Sequence, residues 1–142
     1  MGIKITPADQ WFAKCVKERA DWTCEYSNKY FPEGDRRGIE CSHLFSRRHY
    51  SIRFDPRNAF AHSTHSHFHL GGNPVLFSRW AEEQLGSGCI ERLIEKKNDT
   101  NLAKLVKKNL KDVAKHYKQE YERMRQLRAE GVTGRIEFAG YS

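Results

Sequence analysis

Hydrophobic residues recur at helical spacing near the start of the chain. Thr6-Pro7 has the form of an N-cap followed by proline at the first helical position. The apolar side chains after it repeat at i, i+1, i+4 and i+5, on one face of a helix; they are Trp11, Phe12, Cys15 and Val16. The pattern predicts an amphipathic helix over residues 7–20 that packs beneath the rest of the domain.

The middle of the chain has shorter apolar segments separated by turn residues. Residues 39–45 and 50–54 predict two short strands, joined by a basic loop that contains Arg47 and Arg48. Asp55-Pro56 indicates a turn, and a helix is predicted to begin between residues 58 and 63. We expect that helix to end at Gly71-Gly72, because glycine tolerates the left-handed conformation of a helix end.

Helical periodicity dominates the second half. Asn73-Pro74 predicts the start of a helix, residues 89–97 predict a shorter one, and residues 101–130 predict a long one. One face of the long helix is an apolar stripe, formed by Leu102, Val106, Leu110, Val113, Tyr117, Tyr121, Met124 and Leu127. This stripe either supplies a dimer seam or folds back on its own domain. Residues 131–142 predict a loose strand or a disordered tail.

The opposite face of the long helix is basic. It carries nine lysines and arginines against four acidic residues, so it is either a solvated face or a DNA-contacting one. The whole chain of 142 residues has a net charge of +7 and a pI of about 9.3. This charge favours a polyanionic partner, with nucleic acid first, although an anionic membrane surface or an acidic protein is compatible with charge alone.

Length and pattern together predict one α+β domain over residues 1–142. It would comprise an N-terminal helix (1–21), a small core (22–72), a helical extension (73–130) and a tail (131–142). No apolar run approaches the ~18 residues of a membrane span, and the first residues lack a secretory signal. The sequence therefore predicts an intracellular protein with no membrane partner.

Histidines concentrate in one segment, residues 41–72, which holds six of the seven; they are His43, His49, His62, His65, His67 and His69. A neutral imidazole can accept a proton or bind a metal ion. Three residues stand out by their order: His43 on a strand, Asn58 after the second predicted strand, and His67 on the following helix. These residue types suit phosphodiester hydrolysis. That reaction needs a base that activates water and a divalent cation that neutralises the charge developing on the phosphate.

This order resembles that of the HNH, or ββα-metal, nucleases. Further stretches, from Ile52 to His62, from Ser63 to His67 and the helical run LAKLVKKNLKDVAKHYKQEYERM, make residues 24–127 similar to the NinG/Rap recombination nucleases of lambdoid phages. That group is related to the phage endonuclease VII group. The resemblance implies a ββα-metal core and a hydrolase that cuts branched or otherwise structured DNA during phage recombination. The compartment would then be the bacterial host cytoplasm.

The resemblance also implies roles for individual residues. His43 would be the general base, with its other ring nitrogen held by a backbone carbonyl, and Asn58 would hold the loop by hydrogen bonds. His67 would bind the catalytic metal, expected to be Mg²⁺ or Mn²⁺. The arginines expected to contact DNA phosphates are Arg47, Arg48, Arg53 and Arg57.

The catalytic metal shell departs from the family pattern at two positions. Ser42 stands where many members have Asp or His, and Gly71 stands where a third ligand sometimes lies. His67 would therefore be assisted by weaker or neighbouring donors; the candidates are Ser42, Glu40, His62 and His69.

The structural zinc positions depart further. Relatives carry two C-x-x-C pairs there, whereas this chain has Cys24, Ser27, Ser63 and Ser66. A serine hydroxyl is a poor zinc ligand at neutral pH, so we expect no structural zinc at this place. Two substitutes are open. Cys24 with His62, His65 or Cys41 could form another site, or aromatic packing could replace the metal, through Trp22, Tyr26, Tyr30 and Phe31.

Three functions are compatible with these patterns, and the third is the least favoured. The first is a metal-dependent DNA endonuclease that recognises DNA by shape more than by sequence. The second is a catalytically weakened HNH-fold module that only binds DNA, favoured by Ser42 and the missing thiolates. The third is an adaptor that acts on a host protein.

Overall fold

The computed structural model describes residues 2–34 and 38–142. In chain order these form α1 (Pro7–Arg19), β1 (Ile39–His43), a 3-10 turn (Pro56–Asn58), β2 (Ala59–Ser63), α2 (Thr64–Gly71), α3 (Pro74–Leu85), α4 (Cys89–Lys97), α5 (Thr100–Lys108) and α6 (Leu110–Ala129). The described residues thus contain six α-helices and one two-stranded antiparallel sheet. The α+β class predicted from the sequence is confirmed.

Helix α1 begins where the sequence predicts. The Thr6 hydroxyl accepts a hydrogen bond from the backbone of Asp9, and the Asp9 carboxylate accepts one from the backbone of Thr6 at 2.8 Å. The inward face of α1 carries Phe12, Cys15 and Val16, all at most 1% exposed. Trp11 differs from these three, because it packs on the edge of the core and stays partly exposed.

The two strands place different side chains on the two faces of the sheet. His43 pairs with Ala59 and Glu40 pairs with His62, and side chains alternate between faces along each strand. One face packs on α1, where the rings of His43 and Phe12 lie 5.8 Å apart. The other face carries Phe60, which packs with α2 and α3.

The prediction of a second strand over residues 50–54 is wrong. Residues 50–54 form turns within the loop that joins β1 to β2, and the strand lies at residues 59–63, where a helix start was predicted. All five residues of β2 are buried, so both of its faces are covered and its sequence shows no polar alternation. Ile52 is fully buried in the loop, and a buried apolar residue in a loop gives the same sequence signal as one in a strand.

Helix α2 starts at Thr64, after the predicted position. The hydroxyl of Ser63 caps it by accepting a hydrogen bond from the backbone of Ser66 at 3.2 Å. The helix ends at the predicted glycines, but Gly72 has a φ of −84°, so the end uses no left-handed residue.

Helices α3 and α4 lie close to their predicted positions, and the long predicted helix is divided at Asn109 into α5 and α6. Helix α6 folds back along α1, with Val113, Tyr117 and Met124 fully buried. Its apolar stripe is therefore used within the chain. Of the described helices, none is both long enough and apolar enough to cross a membrane.

The C-terminal residues 131–142 are neither a strand nor disordered, contrary to the prediction. They run over the core without joining the sheet, and Ile136 and Phe138 are buried. The backbone of Ile136 donates to the carbonyl of Arg19 at 3.1 Å. The tail thus covers the end of α1.

Candidate functional site

His43 is the last residue of β1. Its Nε2 lies 3.0 Å from the carbonyl oxygen of Arg53. A carbonyl can only accept, so Nε2 carries the proton and Nδ1 is left as the basic nitrogen. Burial lowers the pKa of His43 to about 4, against the opposing effect of the Arg53 carbonyl. The ring is therefore neutral at pH 7 and can accept a proton.

Asn58 fixes the loop between the strands. Its Oδ1 accepts from the backbone of Phe45 at 2.8 Å, and its Nδ2 donates to the carbonyls of Phe45 and Ile52, each at 3.1 Å. The side chain is fully buried, so these bonds are shielded from water. The same loop carries the Arg53 carbonyl, and Asn58 thus helps to set the orientation of the His43 ring.

His67 on α2 meets Ser42, the residue before His43. The hydroxyl of Ser42 lies 2.5 Å from Nδ1 of His67, and the serine is 1% exposed. The contact joins the helix to the first strand. It brings together two of the five candidate metal ligands.

One open cavity of about 960 Å³ is lined by both His43 and His67. Its lining also includes the cationic side chains of Lys14, Lys17 and Arg47. The carboxylate of Asp9 lies there too, but it accepts two hydrogen bonds from an arginine, Arg53, at 2.9 and 2.7 Å. The cavity therefore combines a neutral imidazole base, a second imidazole and an excess of positive charge.

Glu40 and His62 lie opposite each other on the sheet face that also carries Ser42. His62 is fully buried. Its ring stacks on that of Phe60, with centroids 5.9 Å apart, and lies 5.0 Å from the Trp80 ring, tilted by 57°. Within the part of the chain that the structure describes, neither of its ring nitrogens has a hydrogen-bond partner, and one buried carboxylate oxygen of Glu40 also lacks one. Burial, and then the charge of His67, lower the pKa of His62 to about 4.

His69 lies apart from this group. It is exposed, and its ring lies 5.9 Å from that of Tyr26. Two residues along a helix place side chains roughly on opposite sides, so His69 and His67 point in different directions. Within residues 2–34 and 38–142, no three or more His, Cys, Asp or Glu side chains lie close enough together to hold a metal ion. The structure brings Ser42 to His67 but does not assemble all five candidates.

The predicted DNA-contacting arginines lie in different environments. Arg53 is fully buried in an ion pair with Asp9 and also donates to the carbonyl of Lys4, so a phosphate cannot reach it. Its assignment to DNA binding is corrected on this ground. Arg57 pairs with Asp55 at 2.9 Å with its side chain 41% exposed. Arg47 lines the cavity and Arg48 is exposed.

The four positions that match the structural zinc ligands of the resembled family converge. The Cys24 thiol lies 3.4 Å from the hydroxyl of Ser66 and accepts from the backbone of Ser27 at 3.4 Å, while Ser63 bonds the backbone of Ser66. Burial would raise the pKa of Cys24, but hydrogen bonds from Ser27 and Ser66 outweigh it and lower the pKa to about 7. We refer to Cys24, Ser27, Ser63 and Ser66 as the hydroxyl knuckle.

The residues of the two possible substitutes for zinc lie in different environments. Trp22, Tyr26 and Phe31 pack against the main core, whereas Tyr30 is 64% exposed. Of the possible alternative ligands, His65 is exposed and His62 packs among aromatic rings. Cys41 pairs across the sheet with Ala61.

Sequence reasoning missed the contribution of α1 to the cavity. Trp11, Lys14 and Lys17 line it, although Trp11 was assigned to the core and the lysines to no site. Their i, i+3, i+6 spacing puts them along one side of the helix. This spacing is the sequence signal that could have identified them as one surface.

The chain matches no family model, no curated protein and no solved structure. The function is therefore inferred from the residues and their geometry.

Proposed function

We propose that this protein is a metal-dependent DNA endonuclease of the HNH type. The observation that carries the proposal is the common cavity, in which His43 and His67 lie together with Lys14, Lys17 and Arg47. The order β1, β2, α2 supports it, because His43 ends the first element, Asn58 precedes the second and His67 lies on the third.

The donors near His67 fit a divalent ion that keeps much of its water. His67 is the candidate ligand that lines the cavity, and the Ser42 hydroxyl contacts its Nδ1. On the sheet face that carries Ser42, a buried carboxylate oxygen of Glu40 and the ring nitrogens of His62 have no hydrogen-bond partner among the described residues. Mg²⁺ and Mn²⁺ accept oxygen ligands and retain waters in this way. When bound, such an ion stabilises negative charge on a phosphate.

The remaining chemistry belongs to the side chains of the chain itself. The Arg53 carbonyl holds the Nε2 proton of His43, so Nδ1 takes the proton from the attacking water. The lowered pKa keeps that nitrogen unprotonated at neutral pH, although it also weakens the base. Lys14, Lys17 and Arg47 bind the backbone phosphates without reading the sequence. Such contacts leave the sequence unread, and the proposal therefore assigns substrate choice to DNA shape, as in recombination intermediates.

The test compares DNA cleavage by the wild type, His43→Ala and His67→Ala. Supercoiled plasmid and a four-way junction are incubated with Mg²⁺ or Mn²⁺, and EDTA removes the metal. We expect the His43 variant to lose about 100-fold or more of the rate, the usual contribution of a general base. His65→Ala is the matched control, because His65 is exposed on the same helix as His67. Equal cleavage by the wild type and His43→Ala would refute the mechanism.

A second candidate function is a DNA-binding module without catalysis. It is favoured by the small metal shell, since the described residues contain no group of three His, Cys, Asp or Glu ligands. Tight, salt-sensitive binding of the junction with no cleavage in either metal would support this candidate.

A further inference from the structure

Helix α1 carries a side that faces the candidate catalytic cavity. Trp11, Lys14 and Lys17 all line the cavity. Trp11 is only partly buried, although it is adjacent to the fully buried Phe12. A large aromatic ring held at the wall of a cavity is therefore available to a ligand.

Two lysine ammonium groups lie over the Trp11 ring. That of Lys14 is 4.8 Å from the ring centroid, and that of Lys118 on α6 is 5.8 Å from it. The ring of Tyr121 on α6 lies 5.7 Å away, tilted by 50°, and packs against the core. The indole is thus held against α6, and a base that stacks on it takes the place of a flexible lysine side chain over the ring.

Apolar side chains also line the cavity. Ile3 and Ile5 are among them, and Ile5 is 60% exposed. A cavity lined by an aromatic ring, apolar side chains and lysines suits single-stranded nucleic acid, since a base stacks on the ring while the lysines neutralise phosphates.

We infer that Trp11 is a stacking platform for an unpaired base of the nucleic acid substrate. A base inside a duplex has both faces covered by its neighbours, so only an unstacked base can place a face on the indole. The substrate class is therefore DNA with unpaired nucleotides, at a loop, a branch point or an end. This inference rests on the proposed function, and it adds a residue that selects the substrate.

The experiment measures binding in EDTA by full-length protein that carries His43→Ala, so that cleavage does not interfere. Three labelled probes are used: a duplex with a central unpaired loop, the same duplex with an abasic loop, and the fully paired duplex. The abasic loop keeps the phosphates but has no bases to stack. Trp11 is then changed to Ala and to Phe, and Lys108→Ala serves as a charge control because Lys108 is exposed and does not line the cavity.

We expect Trp11→Ala to weaken binding of the looped duplex about tenfold, the size of one base stacked on one ring. Trp11→Phe should keep most of the affinity, and the abasic and paired probes should lose little in either variant. Thermal unfolding of each variant identifies any general loss of structure. If Trp11→Ala unfolds, Trp11→Leu takes its place, because leucine keeps an apolar side chain but offers no aromatic face, and the same tenfold loss is expected.

Two results would overturn the inference alone. In the first, Trp11→Ala loses the same affinity for all three probes; in the second, it loses affinity for none. Both apply when the parent protein still binds DNA and the wild type still cleaves it. Absence of binding to every probe by the parent, together with absence of cleavage by the wild type, would overturn the proposed function as well.

Discussion

The arginines of the loop between β1 and β2 serve different purposes although they are close in sequence. Arg53 is enclosed by Asp9 and by backbone carbonyls, and Arg47 lines the candidate cavity. Nothing local distinguishes them, because the partner of Arg53 lies 44 residues away on α1. His43, the proposed base, is different, since a carbonyl partner was expected for its ring and the carbonyl, that of Arg53, lies within this loop.

We predict that Arg53→Ala lowers the free energy of unfolding by roughly 3–5 kcal/mol, because the carboxylate of Asp9 loses the partner of a buried ion pair. Arg47→Ala should leave stability almost unchanged and weaken DNA binding, with a smaller dependence on salt. Urea denaturation and a salt titration of binding separate the two effects. Equal stability of the two variants would contradict the structural role of Arg53.

Asp55 connects the loop to α4. Its carboxylate accepts from Arg57 and from Lys96, the latter at 2.8 Å, and its side chain is 2% exposed. Burial would raise the pKa of Asp55, but these hydrogen bonds outweigh it and lower the pKa from 3.8 to about 2. The carboxylate is therefore more easily ionised in the folded chain than in the unfolded one.

This shift gives a prediction for stability against pH. Because the folded pKa is depressed, the stabilisation is complete above about pH 4 and is lost as the pH falls toward 2; its size is about 2 kcal/mol. Asp55→Asn should be less stable than the wild type at pH 7 by a similar amount, and the difference should shrink in acid. Asp112→Asn, at an exposed position on α6, is the control. A constant difference from pH 7 to pH 2 would contradict the linkage.

At the scale of elements, the loop after α1, the end of β2 and the start of α2 meet at the hydroxyl knuckle. The four side chains come together although only one of them, that of Cys24, is a thiol; the others are Ser27, Ser63 and Ser66. The positions were recognised from the sequence through the family resemblance. Their convergence depends on β2, which the sequence pattern did not locate.

We predict that changing Ser27, Ser63 and Ser66 together to Cys creates a site for one Zn²⁺. Four thiolates at such short separations suit the tetrahedral Zn–S geometry. Without metal the variant should be less stable than the wild type, by about 1 kcal/mol from the loss of the Ser63 cap. With Zn²⁺ the midpoint of thermal unfolding should rise above that of the wild type, because metal binding adds to the folding free energy.

The measurement is metal content after dialysis, together with thermal unfolding with and without Zn²⁺. The same triple variant with Cys24→Ser added, which lacks one ligand, should hold zinc more weakly. Failure of the triple variant to retain zinc would show that the four positions do not share a tetrahedral site.

At the scale of the whole molecule, the two ends of the chain cooperate. Helix α1 packs on α6, and the tail covers both through Phe138, whose ring lies 6.0 Å from that of Phe12 and 5.9 Å from that of Tyr117. The guanidinium of Arg19 lies 5.1 Å from the Phe138 ring. The C-terminal residues are therefore part of the core that supports the cavity wall.

We predict that Phe138→Ala lowers the free energy of unfolding by about 3 kcal/mol, since a buried aromatic side chain is lost and a cavity remains. Val132→Ala, in the same tail but at a position that is 40% exposed, should change it little. Chemical denaturation measures both. If the two variants unfold at the same denaturant concentration, the tail does not stabilise the core.

Features that depend on neighbours along the chain were predictable from the amino-acid order. The Thr6-Pro7 start signal and helical spacing located α1, turn residues and periodicity located α3 and α4, and the order of His43, Asn58 and His67 indicated the candidate site. These signals are local because hydrogen bonds within a helix or a turn connect residues only a few positions apart.

Features that depend on distant partners became visible only in the folded chain. The fold placed β2 where covered faces removed the alternating pattern, and it buried Arg53 against Asp9. It also turned Trp11 toward the cavity and laid the tail over the core. The physical reason is common to all four: the free energy of burying or exposing a side chain depends on the surfaces that fold against it, and these come from other parts of the chain.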